Sequence, residues 1–135
     1  MPTSRTELLD IRSSDDVVKV RQQTRALAAE AGLSLVDQTK IITAASELAR
    51  NALDYGGGGA VQMQVLQKGG RWGVHLTFED KGPGIADIEA AMKDGFTTGA
   101  GLGLGLGGAR RLSNEFSIES KLGIGTKVTI ARWKV

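Results

Sequence analysis

A chain of 135 residues with 17 basic and 15 acidic side chains, formal charge +2, suits one domain and shows no charge block that would mark a nucleic-acid stripe or a polybasic membrane anchor. It contains no cysteine, which excludes disulfides, thiolate metal sites and cysteine nucleophiles, and its single histidine cannot build a histidine-rich metal centre. No apolar run approaches the ~18 residues of a membrane span, and the first residues form no signal-peptide core, so a soluble, cytoplasmic protein is expected.

Residues 6–11 alternate weakly and predict a strand. Ser13-Ser14-Asp15-Asp16 reads as a capping box with Ser13 as N-cap. Val17, Val20, Thr24, Leu27, Ala28 and Ala31 recur at helical spacing, so a first helix runs to about Ala31 and stops at Gly32. Ser34-Leu35-Val36-Asp37 repeats the capping pattern and opens a second helix that reaches about Tyr55, where Gly56 to Gly59 end it. Val61, Met63 and Val65 alternate with glutamines in a half-buried strand. Gly69-Gly70 signals a hairpin. On the returning strand Trp72, Val74, Leu76 and Phe78 share one face, and His75, Thr77 and Glu79 point the other way. A short helix is predicted over 85–93 and another over 107–115. Strands over 116–121 and 126–133 flank the turn Leu122-Gly123-Ile124-Gly125. Without regular βαβ alternation, this order predicts an α+β sandwich, a mainly antiparallel mixed sheet covered on one face by helices, in a single domain over 1–135.

Three stretches carry polar chemistry. Six of the ten residues from Gly99 to Gly108 are glycine. Glycine costs roughly 0.5–1 kcal/mol in a helix or strand interior, so the run makes a poor core element. A glycine loop feeding a helix start offers unpaired N–H groups and a positive dipole end to phosphate. On the second helix, Glu47, Asn51 and Asp54 fall on one face, opposite Ile42, Ala45, Leu48, Ala49, Ala52 and Leu53. The polar face reads either as solvated or as a ligand wall. Asp80 ends an apolar strand beside Gly82 and Gly84. A carboxylate there can accept from the amine of a base, and neighbouring glycines leave room for a flat ring. Pro83-Gly84 alone would be an ordinary turn.

Two motifs fail on context. Gly103 to Gly108 satisfies the dinucleotide spacing, but the residues before it, Asp94 to Gly99, are no strand. Gly125-Thr126-Lys127 lacks the spacer of a phosphate-binding P-loop. His75 lies mid-strand and reads as a sheet-face residue rather than a phosphoacceptor.

Taken together, Ser46 to Asn51 (SELARN), Asp80 to Ile85 (DKGPGI), Gly101 to Leu106 (GLGLGL) and Gly123 to Thr126 (GIGT) resemble the ordered N, G1, G2 and final Gly-Thr boxes of the GHKL ATPase/kinase superfamily. The resemblance spans about residues 17 to 133. With Val36-Asp37-Gln38-Thr39, Asp94-Gly95-Phe96-Thr97-Thr98 and Arg110-Arg111-Leu112, the chain also resembles that superfamily's small switch serine kinases of bacterial stressosomes. The resemblance implies the Bergerat ATP-binding fold and the cofactors ATP and Mg²⁺. Asn51 would hold the ion, Glu47 would act as general base, and Asp80 would bind the adenine amine, helped by Gly82, Gly84 and Thr126. A lid over about 95–108 would give N–H groups of Gly101, Gly103 and Gly105 to the phosphates. Arg110 would face the γ-phosphate, and Tyr55 stands where the family often has His or Tyr. No separate phosphoacceptor-helix or transducer domain is expected. The implied substrate is a serine on a STAS-domain antagonist or scaffold protein, and the second partner a metal-dependent serine phosphatase. Two other readings stay open: an anti-sigma kinase that holds a sigma factor, and a binding module with incidental catalysis.

Overall fold

The computed structural model describes residues 3–92 and 105–135. Strand β1 (Thr3–Ile11) leads into helices α1 (Ser14–Glu30) and α2 (Leu35–Asp54). The hairpin β2 (Gly59–Lys68) and β3 (Arg71–Asp80) follows, then α3 (Ile88–Ala91), α4 (Gly105–Arg111), β4 (Glu115–Lys121) and β5 (Gly125–Trp133). The sheet runs β1-β2-β3-β5-β4. All four pairings are antiparallel, so the expected mixed sheet narrows to an antiparallel one among the described strands. β3 and β4 run the same way, but β5 lies between them and no parallel pair forms.

The caps explain where the long helices begin. The Ser13 hydroxyl accepts from the Asp16 N–H at 3.4 Å, and the Asp16 carboxylate reaches back to the Arg12 N–H at 2.8 Å. Ser34 caps α2 in the same way, accepting from the Asp37 N–H at 3.1 Å. Tyr55 is the C-cap of α2, and positive φ at Gly57 and Gly58 turns the chain back into β2. β1 starts three residues earlier than the alternation suggests, with a register shift between Thr3 and Arg5.

One side of the sheet stacks apolar rungs under the helices. Val61, Phe78, Val128 and Ile118 form one rung across β2, β3, β5 and β4, and Met63, Leu76, Ile130 and Phe116 form the next. Val17, Val20, Leu27, Ile41, Leu48 and Ala52 of α1 and α2 cover them in one core. The other side carries exposed Leu8, Gln62, Glu79, Lys127 and Ser117, and among the described residues no helix lies over it. The expected sandwich with one covered face is therefore present.

Two helices differ from their sequence outline. The first shrinks from 85–93 to the single turn of α3, because Asp87 caps it with Oδ1 accepting from the Ala90 N–H at 3.0 Å. The second begins earlier and ends earlier than 107–115. At its end Asn114 leaves the helix and donates its N–H to the Ala131 carbonyl at 2.8 Å. Gly105 to Ala109 are buried in α4, which packs against α2. The end of the glycine run is thus a core element after all. Residues without side chains let two helices approach closely, and that packing offsets the cost of glycine in a helix.

Candidate functional site

The apolar rungs stop at the end of β3, and a polar rung replaces them. Asp80 pairs with Thr126, and Thr126 with Ser120, across β3, β5 and β4. Cross-strand neighbours share a face, so this row continues the helix-covered side of the sheet. It opens on a cleft of about 460 Å³. Leu48, Ala52, Phe78, Ile85, Leu106 and Val128 form apolar walls, and Asn51, Asp80, Thr126 and Asp87 bring polar atoms. A mostly apolar slot with a few convergent polar groups is the usual form of a small-ligand site.

Close approaches hold Asp80 in place. The Gly82 N–H donates to Asp80 Oδ1 at 2.9 Å. A Cβ on Gly56 would collide with the Asp80 carboxyl group, and one on Gly125 with the Asp80 carbonyl oxygen. A Cβ on Gly82 would come within 2.6 Å of the Gly56 Cα. Three segments therefore cross at one point: the turn after α2, the end of β3 and the β4–β5 hairpin. Gly84, with φ +79°, lies against the Lys121 backbone where a side chain would clash. From the sequence Gly56 is a helix stop, and Gly125 belongs to the hairpin turn and to the final Gly-Thr box; neither place says what the glycine touches.

The structure brings Asn51, Asp80, Gly84 and Thr126 to the cleft wall. Gly82 acts from behind, through the Asp80 carboxylate. Gly105 is the first residue of α4, buried, with φ +56°. Gly101 and Gly103, and most of the expected lid, lie outside the described residues. The polar face of α2 is graded: Asp54 is exposed, Asn51 intermediate, and Glu47 only 7 % exposed. Carboxylates are rarely buried so far without a function or a partner. Glu47 stands one turn before Asn51 and is not among the described residues lining the cleft. Arg110 borders a separate depression of about 670 Å³ with Ile88, Met92, Phe116 and Ile118. Tyr55 lines the cleft next to Gly56. Asp87, Ile85 and Leu106 also line it; Ile85 and Leu106 end two of the quoted boxes without a role of their own, and Asp87 was not singled out.

Among the described residues no group of three His, Cys, Asp or Glu side chains could hold a metal. Asn51, on the cleft wall, would offer its amide oxygen to a Mg²⁺ carried mainly by phosphates and water. The apolar slot with a carboxylate at its end likewise fits a flat amino-bearing base. At the far end of α2, Arg132 donates from Nε and Nη2 to Asp37 Oδ1 at 3.1 and 2.8 Å, and from Nη1 to the Leu112 carbonyl at 3.0 Å. The guanidinium holds the Asp37 carboxyl below its ordinary range. On the open face of the sheet, burial pushes the His75 imidazole below its ordinary pKa, and Nδ1 has no partner among the described residues. His75 is thus a half-buried sheet residue, away from the cleft.

Residues 36–135 match the family described as histidine kinase-, DNA gyrase B-, and HSP90-like ATPase. The chain is 46% identical to the serine/threonine-protein kinase RsbT of Bacillus subtilis over 118 residues, covering 87% of this chain and 89% of that protein. It is 33% identical to an anti-sigma F factor of Geobacillus kaustophilus over 83% of this chain and 80% of the other. Its fold aligns, with TM-score 0.67 and 24% identity, to a crystal structure of RsbU and RsbW domains from Mycobacterium tuberculosis, covering 96% of this chain but only 33% of that one. A mycobacterial sensor histidine kinase, MprB, aligns with TM-score 0.55 and 17% identity over 96% of this chain and 97% of that one. The four boxes, the cleft they line and these likenesses agree: the chain belongs to the histidine kinase-, DNA gyrase B-, and HSP90-like ATPase family.

Proposed function

We propose that the cleft binds ATP with Mg²⁺ and that the protein transfers phosphate to a serine of a STAS-domain antagonist. The serine/threonine-protein kinase class follows from the 46% identity to RsbT over 87% of the chain. The observation that carries the nucleotide reading is the Asp80–Thr126 pair closing an apolar slot beside Asn51. ATP and its ion, when bound, supply the γ-phosphoryl group and the charge that offsets it. Asp80 would accept from the base amine while Gly82 orients its carboxylate. Leu48, Ala52, Phe78 and Val128 would hold the ring and exclude water. Asn51 would give its amide oxygen to the ion, and Gly101, Gly103 and Gly105 would offer N–H groups to the phosphates. Glu47 would take the proton of the incoming hydroxyl, with positioning and electrostatics carrying most of the rest.

The same reading assigns a cytoplasmic setting and a second partner, a metal-dependent serine phosphatase activated after release from the STAS protein. The identity to RsbT over most of both chains supports it. A second reading, direct hold on a sigma factor, is favoured by the 33% identity to an anti-sigma F factor. Calorimetry of the purified chain with MgADP tests the nucleotide site: measurable heat of binding is expected, and none would end the kinase reading. Asn51→Ala then separates the partner readings. Serine phosphorylation should be lost while capture of the STAS protein persists. Capture of a sigma factor instead would favour the second reading.

A further inference from the structure

We infer that Ser120, set behind the cleft wall, is a positioning residue that orients the Thr126 hydroxyl and thereby selects the base. The inference rests on the nucleotide reading above and deepens it. Ser120 is half-buried on β4 and stands directly across from Thr126. Its hydroxyl has one proton and two lone pairs. The Ile85 N–H donates to Oγ at 2.7 Å, and Oγ donates to the Gly125 carbonyl at 3.2 Å. Thr126 Oγ1 lies 2.8 Å from the same oxygen. When all three contacts form, the serine proton is committed to Gly125. Thr126 must then be the donor in the third contact.

That arrangement has a chemical consequence at the cleft. With its proton turned inward, Thr126 presents only lone pairs outward. Asp80, its ladder partner, is an acceptor too. Two adjacent acceptors match an exocyclic amine, which brings two N–H groups, and they repel a keto oxygen at the same position. The site thus selects a 6-aminopurine over a 6-oxopurine. Ser120 also ties Ile85, the residue after Gly84, to the β4–β5 hairpin. Without the serine hydroxyl, Thr126 is free to rotate and donate, and the turn carrying Gly84 loses an anchor.

The test is titration calorimetry of wild type, Ser120→Ala, Ser120→Thr and Ser117→Ala with MgADP and, separately, MgIDP. Ser117 is an exposed residue of the same strand and serves as the control. Ser120→Ala should weaken MgADP about tenfold, the usual worth of one hydrogen bond, and MgIDP about twofold or less, so that the preference narrows. Ser120→Thr should restore the preference, and Ser117→Ala should leave it unchanged. In phosphotransfer, Ser120→Ala should raise the KM for ATP about tenfold with kcat within about twofold. Because the preference is a ratio within one folded sample, general destabilisation does not mimic it. Equal losses for both nucleotides, or an unmoved preference, would overturn the role of Ser120 alone. A wild-type chain that bound neither nucleotide would overturn the nucleotide reading and this inference with it.

Discussion

The covered side of the sheet ends in polar residues at both extremes, and the two ends are built oppositely. At one end Arg132 takes the place of an apolar residue beside Val74, and its guanidinium is consumed by Asp37 and the Leu112 carbonyl. Both side chains of that pair are only 13% exposed. At the other end Asp80 and Thr126 look onto a cavity. Helix α2 joins them, with Asp37 in its first turn and Asn51 near its last. A closed polar cluster fixes a fold, whereas an open one leaves atoms for a ligand.

The largest expected effect tests whether binding and transfer separate at the open end. Glu47→Ala should lower serine phosphorylation by roughly 10²–10⁴-fold in a radiolabel assay while MgADP affinity stays within about threefold. Unchanged transfer would remove Glu47 from the role of base. Arg132→Ala breaks the closed end and leaves the part-buried Asp37 carboxylate without its guanidinium. Its stability should fall by about 3 kcal/mol in chemical denaturation, with affinity per folded molecule preserved. Asp80→Asn should do the reverse: MgADP affinity falls about 30-fold, while the unliganded protein melts almost as wild type does.

Acid sharpens the same contrast. The Asp37 pKa is lowered in the folded state, so the pair contributes fully above the ordinary value of 3.8 and its contribution is lost as pH falls through the lowered folded value. The stability gap between wild type and Asp37→Asn should therefore shrink below that point and hold steady above it, in denaturation series over roughly pH 2–6. The smallest effect belongs to the open face, where Lys68 meets Glu115 at 3.0 Å with both side chains about half exposed. Lys68→Ala should cost about 1 kcal/mol at most.

Much of this was legible in the chain. Ser13 and Ser34 announced two helices because a cap is a local hydrogen bond. The alternation of Val74, Leu76 and Phe78 announced a one-sided strand because side chains in a strand point alternately to its two faces. Asn51, Asp80 and Thr126 were legible as a set, since family boxes in fixed order carry them to one cleft. Other features were not. Gly105 and Leu106 read as loop, and the whole glycine run as a poor core element, because propensity ignores the helix waiting to receive them. The depth of Glu47 was not legible, because a helical wheel shows which face a residue shares and not how far packing buries it.

The sequence by itself determined the elements, their order, the one-sided burial of the sheet and the polar residues available at its ends, because each depends on neighbours a few positions away. Only the tertiary structure decided which of those residues meet. Arg132 finds Asp37 across 95 positions, and Ser120 joins Ile85 across 35. Contacts of that separation have no period and leave no local mark. They arise when antiparallel pairing lays distant rungs side by side, and at the end of those rungs the cleft is made.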